Sequence, residues 1–100
     1  MTTPKPIPCF GGPLDGKTAP GHAMHHEVDH DGAIVRYNRV RYARSFRLES
    51  GRTRLQTAYI FVTDENLRVD FKLPVHRHDE LDWTPTDEEI IRQAEAEGEI

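Results

Sequence analysis

The plainest chemical pattern in the chain is Gly11 to Thr18, GGPLDGKT, which satisfies G-x-x-x-x-G-K-[ST], the spacing of a loop that cradles nucleotide phosphates. In such a loop successive backbone N–H groups and the N-terminus of the next helix hold the phosphates, and the hydroxyl binds magnesium. The chemistry therefore needs a buried parallel strand before the loop and a helix directly after it. Here Lys17 and Thr18 run into Ala19, Pro20 and Gly21 and then into a histidine-rich, strand-like segment without a helical pattern. YIFVTD, ending at Asp64, has the form of a strand that delivers a magnesium-binding carboxylate. It lies among segments that read as an antiparallel meander, and the βα repeats of a doubly wound sheet are missing. The nucleotide-hydrolase reading is rejected on these grounds. Gly11, Gly12, Pro13, Asp15 and Gly16 read instead as tight-turn residues leaving a first strand.

Histidines form the next constellation. His22, His25, His26 and His30 occur with Glu27, Asp29 and Asp31, and His76 and His78 occur with Asp79. Imidazole and carboxylate ligate zinc and other divalent ions, so a metal site at His76 and His78 is one reading. Neighbours on a strand, such as His25 and His26, point to opposite faces, and only alternate residues such as His76 and His78 share one. The chain has no metal signature such as H-E-x-x-H, so solvated histidines are preferred and no cofactor is expected.

Arginine carries the third pattern. Residues 33 to 54 hold seven arginines and one acid, for +6, whereas residues 79 to 100 hold nine acids and one arginine, for −8. Arg39, Arg41 and Arg47 on one strand, with Arg52 and Arg54 on the next and Tyr37 and Tyr42 nearby, would give a basic sheet face. That face suits a protein partner or the phosphates of a nucleic acid, the alternative being a solvated outer face whose charges discourage edge-to-edge pairing or match the acidic helix. Trp83, in HDELDW, joins these arginines as a candidate anchor for a partner, the alternative being that it packs the following helix onto the sheet. An overall charge of −4 argues against general nucleic-acid binding, for which a domain is usually strongly basic. No nucleophile and base stand together: Ser45 and Ser50 fall on a strand and a turn, and Asp87 and Glu88 read as helix-capping acids. The chain is accordingly expected not to be an enzyme.

The elements that must position these residues follow from periodicity. RVRYARSFRLE alternates Val40, Tyr42, Phe46 and Leu48 with Arg39, Arg41, Ser45 and Arg47, which predicts a half-buried strand. Ser50 and Gly51 predict a two-residue hairpin, and RLQTAYIFVT, apolar on both faces, predicts a central strand covered on both sides. After a turn at Asp64, Glu65 and Asn66, LRVDFKL alternates again and predicts a third strand of the meander, ended by Pro74. Upstream, Asp31 and Gly32 predict a hairpin between MHHEVD and AIVRY, and a phase change between Tyr37 and Val40 predicts a bulge or turn at Asn38. Thr86 followed by Glu89 is a capping box, so residues 86 to 97 are predicted helical.

The expected architecture is α+β: a small antiparallel meander of about five to six strands with one C-terminal helix. At 100 residues the chain reads as a single domain, 1–83 supplying the sheet and 84–100 the helix and acidic tail. A single cysteine, Cys9, rules out an internal disulfide and reads as a small apolar strand residue. No apolar run approaches the roughly 20 residues of a membrane span, and MTTPKPIPCF has no apolar stretch like that of a signal peptide.

IPCFGGPLDG, from Ile7 to Gly16, followed by the Tyr- and Arg-rich VRYARSF, resembles small proteins encoded by actinobacteriophages, mycobacteriophages among them, and sometimes by their hosts. The resemblance implies a phage accessory protein acting in the host cytoplasm through a host or phage protein. It brings no activity and no set of functional residues with it. Protein binding is thus the first reading, nucleic-acid binding the runner-up and divalent-metal binding the third; an edge strand could also pair two copies, and virion association stays open.

Overall fold

The computed structural model describes residues 5–69 and 71–98. They form an α+β protein with one five-stranded sheet and a C-terminal helix. The strands are β1 (Pro6–Phe10), β2 (Thr18–Pro20), β3 (His25–His30), β4 (Ala33–Arg47) and β5 (Thr53–Thr63), ordered β2-β1-β5-β4-β3. The sheet is mixed rather than an antiparallel meander, because β1 runs parallel to β5, pairing Cys9 with Phe61 and Phe10 with Val62. The chain divides into two compact units, one comprising the described residues up to Val40 with Tyr59–Leu81, the other Arg41–Ala58 with the described residues from Asp82. No helix among the described residues is long and apolar enough to cross a membrane.

In the first unit, buried Cys9, Ala19, Tyr37 and Phe61 form the core, with Ile7, Leu14, Val28 and Val35 packed on them. The Asp31-Gly32 hairpin forms as the sequence predicts: β3 and β4 pair antiparallel up to His30 and Ala33, and both turn residues have positive φ, 52° and 80°. That is the mirror-image turn whose twist matches the flanking strands.

Asn38 does not break the strand. β4 runs through it, it pairs with His25, and Asp31 is the one non-glycine residue with positive φ among those described. The phase change is absorbed by burying Tyr37 and Asn38 in succession, which requires partners for the amide. Its nitrogen donates to the Asp64 carboxylate at 2.7 Å and to the Val62 carbonyl at 3.4 Å.

The predicted third meander strand over residues 67–73 is absent among the described residues; Asp70 lies outside them. The flank of β5 that it would occupy is taken by β1. The expected turn at Asp64 instead begins the short helix α1 (Asp64–Leu67), whose first turn is capped by the Thr63 hydroxyl accepting the Asn66 N–H. Leu67 and Val69 are exposed, Phe71 sets its ring 6.4 Å from Phe10, and the chain enters a 3-10 helix at Val75–Glu80.

In the second unit β4 and β5 are joined by a three-residue loop, Glu49 to Gly51, rather than two: the Leu48 N–H donates to the Arg52 carbonyl at 2.8 Å, and Gly51 takes φ 92°. The helix α2 (Asp87–Ala96) buries Ile90 and Ala94 against Leu48 and Phe46. Thr86 caps it as predicted, its hydroxyl oxygen accepting the Glu89 N–H at 3.2 Å while the hydroxyl donates to the Glu89 carboxylate at 3.0 Å. Reciprocal backbone bonds between Thr57 and Thr84 hold the segment leading into the helix. β5 is not covered on both sides along its length: Gln56, Ala58, Ile60 and Val62 are buried, but Leu55 and Tyr59 on the opposite face are exposed.

Candidate functional site

The GGPLDGKT segment leaves β1, makes a 3-10 turn at Gly12–Leu14 and returns as β2, antiparallel to β1; no helix follows it. YIFVTD does run parallel to β1, contrary to the meander expectation, so Asp64 and the loop sit at the same end of neighbouring strands. The loop is nonetheless closed on itself. The N–H of Gly11 donates to the Asp15 carboxylate at 2.8 Å and that of Leu14 to the Tyr37 hydroxyl at 2.9 Å. The N–H groups of Asp15, Gly16 and Lys17 donate to the carbonyls of Gly12, Cys9 and Leu14. A phosphate cradle needs such donors aimed at the ligand, and here they are engaged within the chain.

Gly11 and Gly12 have φ of 82° and 65°, and a β-carbon on either would lie 2.6 Å from a side-chain atom, Asn66 Nδ2 or Tyr37 Oη. Their backbone conformation and their tight surroundings both demand glycine. Gly16 shares the positive φ but faces open space, and Pro13 is the second residue of the 3-10 turn.

Arg77 clamps this loop, and the sequence reading passed over it. Its guanidinium lies 4.2 Å from the Phe10 ring centroid and reaches the Asp15 carboxylate at 2.9 Å and both Glu80 oxygens at 2.8 and 3.3 Å. The Gly11 N–H and then Arg77 hold Asp15 below the usual carboxylate range, and Arg77 does the same to Glu80. Glu80 in turn raises Arg77. The spacing of Arg77 and Glu80 was a readable signal; the partnership with Asp15 was not. Burial pushes the Cys9 thiol up to about 11 and raises Tyr37.

His76 and His78 lie in the 3-10 helix, not on a strand, so residues two apart do not share a face. No cluster of three or more metal-ligating side chains occurs among the described residues.

The proposed arginine set is divided. Arg39 belongs to the first unit, half-buried, donating to the Gly21 carbonyl at 2.6 Å with its guanidinium 5.0 Å from the Tyr59 ring. The other members belong to the second unit. There Arg54 lies on the same side of β5 as buried Gln56 and pairs with Glu97 at 3.8 Å, so it serves the α2 side of the sheet. Arg52 stands exposed at the hairpin end.

Arg41 and Arg47 project from the opposite, outer side of β4 with Ala43 and Ser45 between them, all exposed. By strand alternation Thr53, Leu55 and Thr57 of β5 share that side. Leu55 is 64% exposed there, and the charged residues of β4 and β5 in that phase are Arg41 and Arg47. Around the hairpin end, a pocket is lined by Phe46, Arg47, Leu48, Glu49, Ile91 and Glu95.

Trp83 is buried and cannot present its ring as an exposed anchor. The guanidinium of Arg44 covers it at 4.2 Å, and Tyr42 lies 6.2 Å away. Arg44 Nε donates to Gln56 Oε1 at 2.9 Å, and the Gln56 amide donates to the Pro85 carbonyl at 2.9 Å and the Asp87 carboxylate at 2.7 Å. Arg44, in phase with Tyr42 and Phe46 along β4, was legible in the sequence as the one cation pointing inward.

Comparison with protein-family models, with curated proteins and with solved structures returns no match.

Proposed function

We propose that this chain is a phage accessory protein without chemistry of its own, which binds a protein partner in the host cytoplasm through the outer face of the β4–β5 hairpin. The observation that carries the reading is Leu55, exposed to 64% on a side where the charged strand residues are Arg41 and Arg47. Small Ala43, Ser45 and Thr53 around it leave a surface on which a partner can lie flat, and arginine is enriched where partners dock. A non-catalytic role is supported by how the polar groups are used: Asp15 with Arg77, and Gln56 with Arg44 and Asp87, satisfy one another. The phage context rests on the resemblance of IPCFGGPLDG and VRYARSF.

The same two arginines favour one second reading, contact with nucleic-acid phosphates. Both readings are tested by affinity capture from mycobacterial lysate, with and without nuclease, comparing the tagged protein with Leu55→Asp. A discrete protein retained after nuclease and lost with Leu55→Asp supports protein binding. Proteins that vanish with nuclease move nucleic acid to first place, and identical capture by the variant contradicts the assignment of this face.

A further inference from the structure

We propose that the open edge of β3 accepts, by strand addition, an extended segment of a partner protein bearing lysine or arginine at alternate positions. This site lies in the first unit and is independent of the hairpin face. The sheet order leaves β2 and β3 as its edges. β2 has three residues and ends in proline, whereas β3 offers six. Hydrogen-bonded and non-bonded pairs alternate along an antiparallel ladder, and its phase is set here at both ends. His30 and Ala33 close the two-residue turn, and the Met24 carbonyl accepts the Arg39 N–H at 2.9 Å. The main chain of His26, Val28 and His30 therefore bonds to β4, and that of His25, Glu27 and Asp29 points away from the sheet, where an added strand would find it.

Side chains define what can be added. His26 and Val28 turn toward the core, His26 with its ring 6.3 Å from Phe61 and Val28 packed on the Cys9 cluster. Glu27 and Asp29 are exposed on the other side. Cross-strand from them stand Arg36 and Ile34, and His25 is engaged with Asn38 at 3.1 Å. One arginine thus faces two carboxylates, with Asp31 adding a third acid at the turn. An added strand places its own residues directly opposite Glu27 and Asp29, where cations are favoured and acids disfavoured. A second copy of β3 is a poor occupant for that reason. Antiparallel self-pairing that keeps the core sides together sets Glu27 against Asp29 of the other copy, or against its own counterpart.

The test uses a dye-labelled Lys-Val-Arg-Val-Lys-Val peptide, its Glu-Val-Glu-Val-Glu-Val counterpart, and fluorescence anisotropy at low salt with the full chain. Saturable binding of the cationic probe is expected, weakened at least about tenfold by Glu27→Lys with Asp29→Lys. It should also be lost with Glu27→Pro, which removes an outward N–H yet suits an edge strand. Should the proline variant not fold by circular dichroism, a probe N-methylated at alternate residues removes the same bonds from the other side and must also fail to bind. No saturable binding up to about 1 mM, equal binding of the acidic probe, or unchanged binding by the charge-reversed variant overturns the proposal.

Discussion

The Tyr37 hydroxyl donates to the Gly11 carbonyl at 2.5 Å and accepts the Leu14 N–H at 2.9 Å, bridging 26 residues of sequence to hold the loop after β1 from within the core. Tyr37 is fully buried and Gly11 and Leu14 are half-buried, so the two backbone groups have restricted access to water in its place. Tyr37→Phe keeps the ring and deletes both bonds. It should lower stability by about 1–3 kcal/mol, since unsatisfied backbone groups bear the full desolvation cost. Chemical denaturation of the two proteins measures this; an unchanged midpoint contradicts it.

Two glycines in the same loop separate backbone strain from crowding. At Gly16 an added β-carbon meets nothing within 4 Å, so Gly16→Ala should cost only the positive-φ penalty, about 1–2 kcal/mol. At Gly12 the β-carbon would also lie 2.6 Å from the Tyr37 oxygen. Gly12→Ala should therefore cost clearly more than Gly16→Ala, and its excess should shrink in a Tyr37→Phe background, because the two sites share a contact. Equal thermal shifts for the two glycine variants contradict the geometry.

Trp83 is the chain's single tryptophan, so its fluorescence reports on the second unit alone. With Arg44 stacked over it the indole is shielded, and Arg44→Ala should expose it and shift its emission to the red. Gln56→Leu removes a fully buried amide that donates to the half-buried Pro85 carbonyl and the exposed Asp87 carboxylate and accepts from Arg44, for an expected loss of about 1–2 kcal/mol. An Arg44→Ala emission maximum equal to wild type contradicts the stack.

Acid should loosen the loop clamp. The Gly11 N–H and Arg77 depress Asp15 in the folded state, so its contribution is complete above the ordinary carboxylate pKa and is lost as pH falls through the folded value. Asp15→Asn should be less stable than wild type near neutrality, and the gap should close on acidification below about pH 4. Thermal unfolding of both proteins across that range is the check. A gap that stays constant with pH contradicts the assignment.

Local chemistry is what the sequence made readable. The Asp31-Gly32 turn, the Thr86 cap and the alternation from Val40 to Leu48 depend on residues within a few positions of one another, and each stands as expected. The parallel pairing of β1 with β5 joins residues some fifty positions apart, and no turn signal specifies it. Once β1 holds that flank, the alternating segment from Leu67 to Leu73 has no ladder to join. The arginines were legible as a group, but not their division: Arg44 and Arg54 meet acids near the start and end of α2, a relation set only when the helix docks.

The most direct test of the hairpin face is site-specific photo-cross-linking, with a photoreactive residue at Leu55 and, as a control in the first unit, at Val75, which is 80% exposed. In nuclease-treated mycobacterial lysate the account predicts one discrete protein adduct from position 55, reduced by Arg41→Glu, and none from position 75. An adduct from position 75 with none from position 55 would contradict it.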